Sequence, residues 1–125
     1  MQQWFWIFLG GGLGSVLRYA VGEWTHSSSR FPFATLWVNI IGSMLIGFLM
    51  AFLHTTEDTA GTLSLKNFLI TGFCGGFTTF SAFSAQNLRM WQDGNYGMSF
   101  VYILGSIVFC LVAVWVGHSI GRWGQ

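Results

Sequence analysis

The sequence predicts an all-α integral membrane protein with four transmembrane helices, and three observations carry that reading. Of its 125 residues 53% are hydrophobic and 7% are charged, where ordinary soluble domains carry roughly 25% charge. The apolar residues gather into four runs, near 4–24, 33–54, 65–90 and 96–120, each long enough for the roughly 20 residues a helix needs to cross a bilayer. Four spans consume about 80 positions, so residues 1–125 read as one membrane domain with short turns and no soluble part.

The first run, Trp4 to Trp24, follows Met1-Gln2-Gln3. That start lacks the basic region of a cleaved signal peptide, so the segment is expected to stay in the membrane. Arg18 is the one basic residue well inside a span. Its position favours a side chain that snorkels to the interface, the alternative being local positive potential at a pore mouth. His26-Ser27-Ser28-Ser29-Arg30 connects to the second run, with Pro32 at a helix start where its missing N–H is harmless. Within that run Thr35, Asn39, Gly42 and Ser43 share one helix face. The Asn39 amide there either bonds a neighbouring helix or serves a ligand. Thr55 to Ser64 reads as the second connection and Gln92-Asp93-Gly94-Asn95 as the third.

The third run is the most informative. Gly72-Phe73-Cys74-Gly75-Gly76-Phe77-Thr78-Thr79-Phe80-Ser81 sets three glycines and two threonines where a helix is least expected to be interrupted. It predicts a third helix broken mid-membrane, the alternative being a continuous, glycine-packed helix. Irregular backbone at that depth survives only where protein buries it or a wet cavity solvates it. Phe80 and Phe83 follow at i and i+3 on one face, and Ser81, Ser84, Gln86 and Asn87 add neutral hydrogen-bonding groups. In the fourth run Tyr102, Ser106 and Cys110 repeat every four residues, which makes either a second polar line or a packing seam. Gly10/Gly14, Ser43/Gly47, Gly72/Gly76 and Gly117/Gly121 are small residues one turn apart, the spacing that lets helix backbones approach in lipid. Tryptophans near the span ends, Trp4, Trp6, Trp24, Trp91 and Trp123, suit the headgroup boundary better than Trp37 and Trp115 do.

Charge excludes several functions. A formal net charge of +1 offers no basic stripe for a nucleic acid. The acids are Glu23, Glu57, Asp58 and Asp93; none lies in a span interior, which argues against proton-coupled cation exchange. The ionisable residues assemble no nucleophile, base and orienting group, so an enzyme is not expected. Cys74 and Cys110 lie in apolar runs without CxxC spacing and read as packing residues rather than a disulfide or zinc pair. With four spans, Lys66 and Arg122 share the side of the termini, while Arg18, Arg30 and Arg89 lie toward the other. Two against three is almost no bias, so the chain can insert either way round and form an antiparallel pair.

These motifs resemble the small bacterial fluoride channels called Fluc or CrcB, along nearly the whole chain. Gly10-Gly11, Gly14 and Arg18-Tyr19 look like the family's first-span pattern, with Ser15 where alanine is usual. Thr35-Leu36, Val38-Asn39, Gly42 and Gly47 look like its second-span pattern, with Ala34 in place of a glycine. Gly72, Gly75-Gly76, Thr78-Thr79-Phe80-Ser81 and Phe83 look like its third-span motif, with Ala82 where threonine is common and Gln86 where glutamate is frequent.

The resemblance implies a passive, highly selective fluoride channel that exports cytoplasmic F⁻ from the bacterial inner membrane and confers fluoride resistance. It implies an antiparallel dual-topology homodimer with four spans per subunit. Asn39 would donate its amide to fluoride, Phe80 and Phe83 would line the pore, and Tyr102 and Ser106 would belong to a polar track. Thr79, Ser81, Ser84 and Gln86 accompany them as pathway residues. Gly75 and Thr78 would offer backbone carbonyls to a structural sodium ion at the dimer interface. The competing reading is a small dual-topology multidrug or cation exporter, which needs a membrane-buried carboxylate; Glu23, at a span end, is poorly placed for it.

Overall fold

A computed structural model describes residues 2–25, 30–54 and 59–123. The first connection lies outside them except for Arg30, as do residues 55–58 of the second. The described chain is helical, with no strand among those residues: α1 (Gln2–Trp24), α2 (Phe33–Phe52), α3 (Ala60–Lys66), a π-helical stretch (Asn67–Cys74), α4 (Gly75–Phe77), α5 (Phe80–Gln92) and α6 (Tyr96–Arg122). Four segments are long and apolar enough to cross a membrane: α1, α2, the run Ala60–Gln92, and α6. Their outer faces carry large apolar side chains such as Phe8, Val16, Met50, Phe100 and Leu111, a surface suited to lipid rather than water.

The second connection is shorter than the sequence reading had it. Thr59 caps α3 by accepting from Thr62 N–H at 3.3 Å, and Ser64 Oγ donates to Ala60 O inside the helix. The Thr59 and Ser64 hydroxyls thus form a helix cap and a back bond in the first turns of α3 rather than belonging to a loop. The third connection ends α5 with Gly94 at φ 75°. Asn95 N–H reaches back to Met90 O at 2.8 Å, a six-residue closure that needs a residue able to adopt positive φ.

Helices pair two by two. α1 packs on the π-helical stretch and α4, and α2 packs along α6. Glycines make both contacts possible. A Cβ on Gly14 would fall on Phe73 O and within 2.7 Å of Phe77 N, and one on Gly72 would come within 2.8 Å of Ile7 O. On the other pair, a Cβ on Gly47 would strike Val114 O and one on Gly117 would strike Met44 O. The backbones themselves are in contact. Gly14→Ala is therefore expected to destabilise the protein by about 1–3 kcal/mol or more, the usual cost of overpacking. Gly12→Ala, with nothing within 4 Å, should be neutral. Thermal stability of the two variants in detergent, followed by size-exclusion chromatography, checks the contrast.

The glycines of the third segment are helical, Gly75 having φ −64° and ψ −37°. Extended backbone falls on the threonines that follow: Thr78 has φ −79°, ψ 157° and Thr79 φ −151°, ψ 118°. Beyond them α5 leans on α6 and α2.

Candidate functional site

Thr78 and Thr79 leave the helix, and neighbouring side chains take up the backbone groups so released. Asn39 on α2 clasps Thr79 at both ends: its Nδ2 donates to Thr79 O at 3.1 Å, and Thr79 N–H donates to its Oδ1 at 2.8 Å. Thr79 Oγ1 accepts from Ala82 N–H at 3.2 Å and so caps α5. Thr78 Oγ1 donates back to Cys74 O at 2.8 Å. In a continuous helix Thr79 N–H would bond Gly75 O and Ala82 N–H would bond Thr78 O. Both donors point elsewhere, so the carbonyls of Gly75 and Thr78 lose their regular helix partners.

Beside this turn runs a groove of about 570 Å³. Asn39 and Ser43 line it from α2, Phe80 and Phe83 from α5, and Ser106 and Cys110 from α6, with Gly75, Thr78 and Thr79 along the interruption. Two polar lines that the sequence placed on separate helices thus share one space at Asn39, Gly42 and Ser43 and at Ser106 and Cys110, while Thr35 and Tyr102 lie outside it. Ser106 is 7% exposed, and its hydroxyl oxygen is buried without a hydrogen-bond partner. A buried hydroxyl left unpaired is costly, and this one borders a groove that carries other donors. Asn39 has a second amide hydrogen beyond the one it gives Thr79.

The aromatic pair stands at the same groove. The Phe80 ring is 78% exposed on the single chain, and its centroid lies 5.4 Å from that of Phe83. Phe83 in turn contacts the Tyr102 ring at 5.0 Å. Above Phe83 a three-residue bridge joins three helices: Tyr102 Oη donates to Gln86 Oε1 at 2.9 Å, and Gln86 Nε2 donates to Thr35 Oγ1 at 2.8 Å. Gln86 also lines a second cavity, of about 560 Å³, bordered by Arg30, Arg89 and Asp93. The bridge therefore stands between a charged recess at the helix ends and the neutral groove inside.

Other expected residues play local roles. Ser84 Oγ donates to Phe80 O within its own helix, and Ser81 Oγ lies 3.2 Å from Thr79 Oγ1. Arg18 is half-buried on α1 and borders neither cavity. Cys74 packs in a core with Leu49 and Leu53, as a packing cysteine should. Cys110 departs from that expectation: it is half-buried at the groove, where the four-residue repeat after Ser106 carries it.

Sequence reasoning missed a relay behind the aromatic pair. Trp91 Nε1 donates to Ser99 Oγ at 2.8 Å, Ser99 Oγ donates to Asn87 Oδ1 at 2.8 Å, and Asn87 Nδ2 donates to Phe83 O at 2.9 Å. Ser99 is wholly buried. The signal was the spacing of Asn87 and Trp91, one turn apart on α5, with the turn short enough to bring Ser99 alongside.

Taken together these features define a class: a multi-pass helical membrane protein in which an open groove offers neutral hydrogen-bond donors beside an unwound turn. Within that class, the chain belongs to the CrcB family, because the family model described as CrcB-like protein, Camphor Resistance (CrcB), matches residues 5–118. It is 42% identical over 120 residues to a protein of Opitutus terrae named Fluoride-specific ion channel FluC, covering 94% of this chain and 91% of that one. Proteins of the same name from Flavobacterium psychrophilum and Bacteroides fragilis are each 43% identical, over 126 and 127 residues, with 98% of both chains covered in each case.

Proposed function

We propose that this chain is a passive, selective fluoride channel of the bacterial inner membrane, working as an antiparallel dual-topology homodimer. The observation that carries the reading is the partnerless Ser106 hydroxyl, buried at a groove that it shares with Asn39, Phe80 and Phe83. A small anion with a tight hydration shell needs replacement donors, and a few neutral hydroxyl and amide hydrogens supply them without holding it too strongly. The positive edges of the phenylalanine rings add attraction without a fixed charge. Tyr102 continues the line toward Gln86 and Thr79 borders the groove at the unwound turn, while Ser81 and Ser84 follow on the first turns of α5. The relatives named fluoride-specific channels support the choice of anion.

The unwound turn lies at membrane depth in this reading. Its Gly75 and Thr78 carbonyls, deprived of their helix donors, fit a hard cation such as sodium, which prefers oxygen ligands. Two copies meeting at this turn would enclose the ion between subunits. Export then needs no coupled reaction. An inside-negative potential contributes about 2.3 kcal/mol per 100 mV to expelling one negative charge, roughly a fifty-fold depletion. The exporter alternative lacks support, because Glu23 and Asp93, the two acids among the described residues, stand at helix ends.

Fluoride and chloride efflux from liposomes containing this chain alone tests the function. Fluoride efflux far above chloride efflux is the expected result; equal rates, or none, would sink it. Tags on the termini should be reached from both sides of the membrane, and labelling from one side only would overturn the antiparallel arrangement.

Gln86→Glu tests the bridge. Tyr102 can still donate to the new side chain, and the Thr35 hydroxyl can turn to donate as well. The added negative charge repels an anion while ionised. Flux should remain measurable, lowered by about threefold or more at pH 8, and recover as the pH falls and the carboxyl gains its proton. Equal flux across that range would put residue 86 outside the pathway.

A further inference from the structure

We propose that Cys110 is a capture site for soft, thiophilic cations inside the groove, and that occupation of this site blocks ion passage; the blocking rests on the channel reading above. Cys110 lies one turn beyond Ser106, whose buried hydroxyl has no partner and borders the same groove. The half-buried side chain is thus at a space that already has unmet polar capacity, and the thiol is free. From Ser106 to Cys110 the side chain at the groove changes from a hydroxyl to a thiol, which is a weak donor to a hard anion but a strong ligand for a soft cation. The groove is lined mainly by apolar groups, with neutral donors at Asn39, Ser43 and Ser106; both cysteines lie along it, and Cys110 is the one that is not fully buried.

Two cysteines divide the chain's sulfur chemistry. Cys74 is 1% exposed and packed against Leu49 and Leu53, so its thiol is sterically shielded. Cys110 is the accessible one. With mercuric chloride as the probe, the Cys110 S–H bond breaks and an S–Hg bond forms. One chloride leaves the metal, the proton passes to water, and no atom changes oxidation state. The product, a neutral S–HgCl group, is bulkier than the thiol and fills part of a passage built for a small ion. Mercuric chloride is itself uncharged and crosses lipid, so both orientations of the chain are reached.

The experiment pairs a chemical and a transport readout on the full-length protein. Folded protein is treated with mercuric chloride, excess mercury is removed, the protein is denatured, and thiols left free are then alkylated and mapped by mass spectrometry. In parallel, liposome fluoride efflux is recorded before mercury, after it, and after dithiothreitol. Expected are protection of Cys110 but not Cys74, a fall in efflux of at least about tenfold, and recovery with dithiothreitol. Cys74→Ala should retain the mercury response, whereas Cys110→Ser and Cys110→Ala should lose it. Block that persists in both Cys110 variants, or a Cys110 that stays alkylatable after mercury, would overturn the proposal. Mercury bound at Cys110 with efflux unchanged would overturn the blocking role. If the untreated protein passes no fluoride, the channel reading fails, and the mapping by itself still decides whether Cys110 captures the metal.

Discussion

Replacing Phe83 with isoleucine is expected to cut fluoride efflux per folded dimer by at least about tenfold, which corresponds to about 1.4 kcal/mol of barrier. Isoleucine keeps most of the bulk and removes the ring edge. Phe83 stands between the Phe80 ring and the Tyr102 ring, so a dehydrated anion moving from the Gln86 bridge to the Ser106 hydroxyl must pass it. Phe80→Ile separates transport from packing more cleanly still. Its ring is largely exposed on the single chain, so the substitution removes little intrachain burial and should leave the fold intact. Were both rings mere filler, stability would drop modestly and normalised flux would stay level. Methionine, flexible and polarizable, should be milder than isoleucine at either position. The measurement is liposome efflux divided by the dimer recovered from size-exclusion chromatography; unchanged ratios in both isoleucine variants would return the rings to packing.

Asn39→Ala should do more damage than any other single truncation in the groove. It strips partners from Thr79 N–H and Thr79 O together, on a residue that is 7% exposed. Thr79 N–H is left unpaired, at a cost of about 1–3 kcal/mol, while Thr79 O, the N-cap carbonyl of α5, loses one partner and keeps its helix bond. Loss of stable protein and of flux is the expected outcome. Asn39→Asp distinguishes clasp from conduction. Its carboxylate can still accept from Thr79 N–H, but it faces Thr79 O without a proton to give and brings a negative charge to an anion groove. Folded protein should be recovered in part while fluoride efflux is lost. An aspartate variant with ordinary flux would show that Asn39 meets no anion.

How much of this was legible in the chain depended on whether a periodicity or a partner was needed. Lengths of apolar runs located all four spans, because burial in lipid imposes one requirement on every residue of a segment. The shared face of Thr35, Asn39 and Ser43, and the repeat of Tyr102, Ser106 and Cys110, followed from helical spacing. Which helix each face met did not, since spacing says nothing about neighbours. The extended pair illustrates the limit: Gly76 is spent on contact with Gly11 of α1 and Gly75 stays helical with open space around it, while Thr78 and Thr79 adopt extended geometry, Thr79 under the hold of Asn39 from another helix. Likewise Thr59 reads as loop until its hydroxyl is seen to cap a helix, and the Trp91–Ser99–Asn87 relay needs a turn whose geometry only Gly94 permits.

The glycine-mediated pairing also bears on how the chain assembles during synthesis. Each close backbone contact joins spans that are not consecutive: α1 meets the third span and α2 meets α6. As the polypeptide emerges, α1 has no glycine-matched partner until the third span has entered the bilayer, and α2 waits for the fourth. The first two spans must therefore persist as separate helices in lipid, which their apolar surfaces allow. Interleaved pairing makes completion of the last span the step that closes the subunit, so a chain truncated before α6 should remain open and vulnerable to membrane proteases even with three spans inserted.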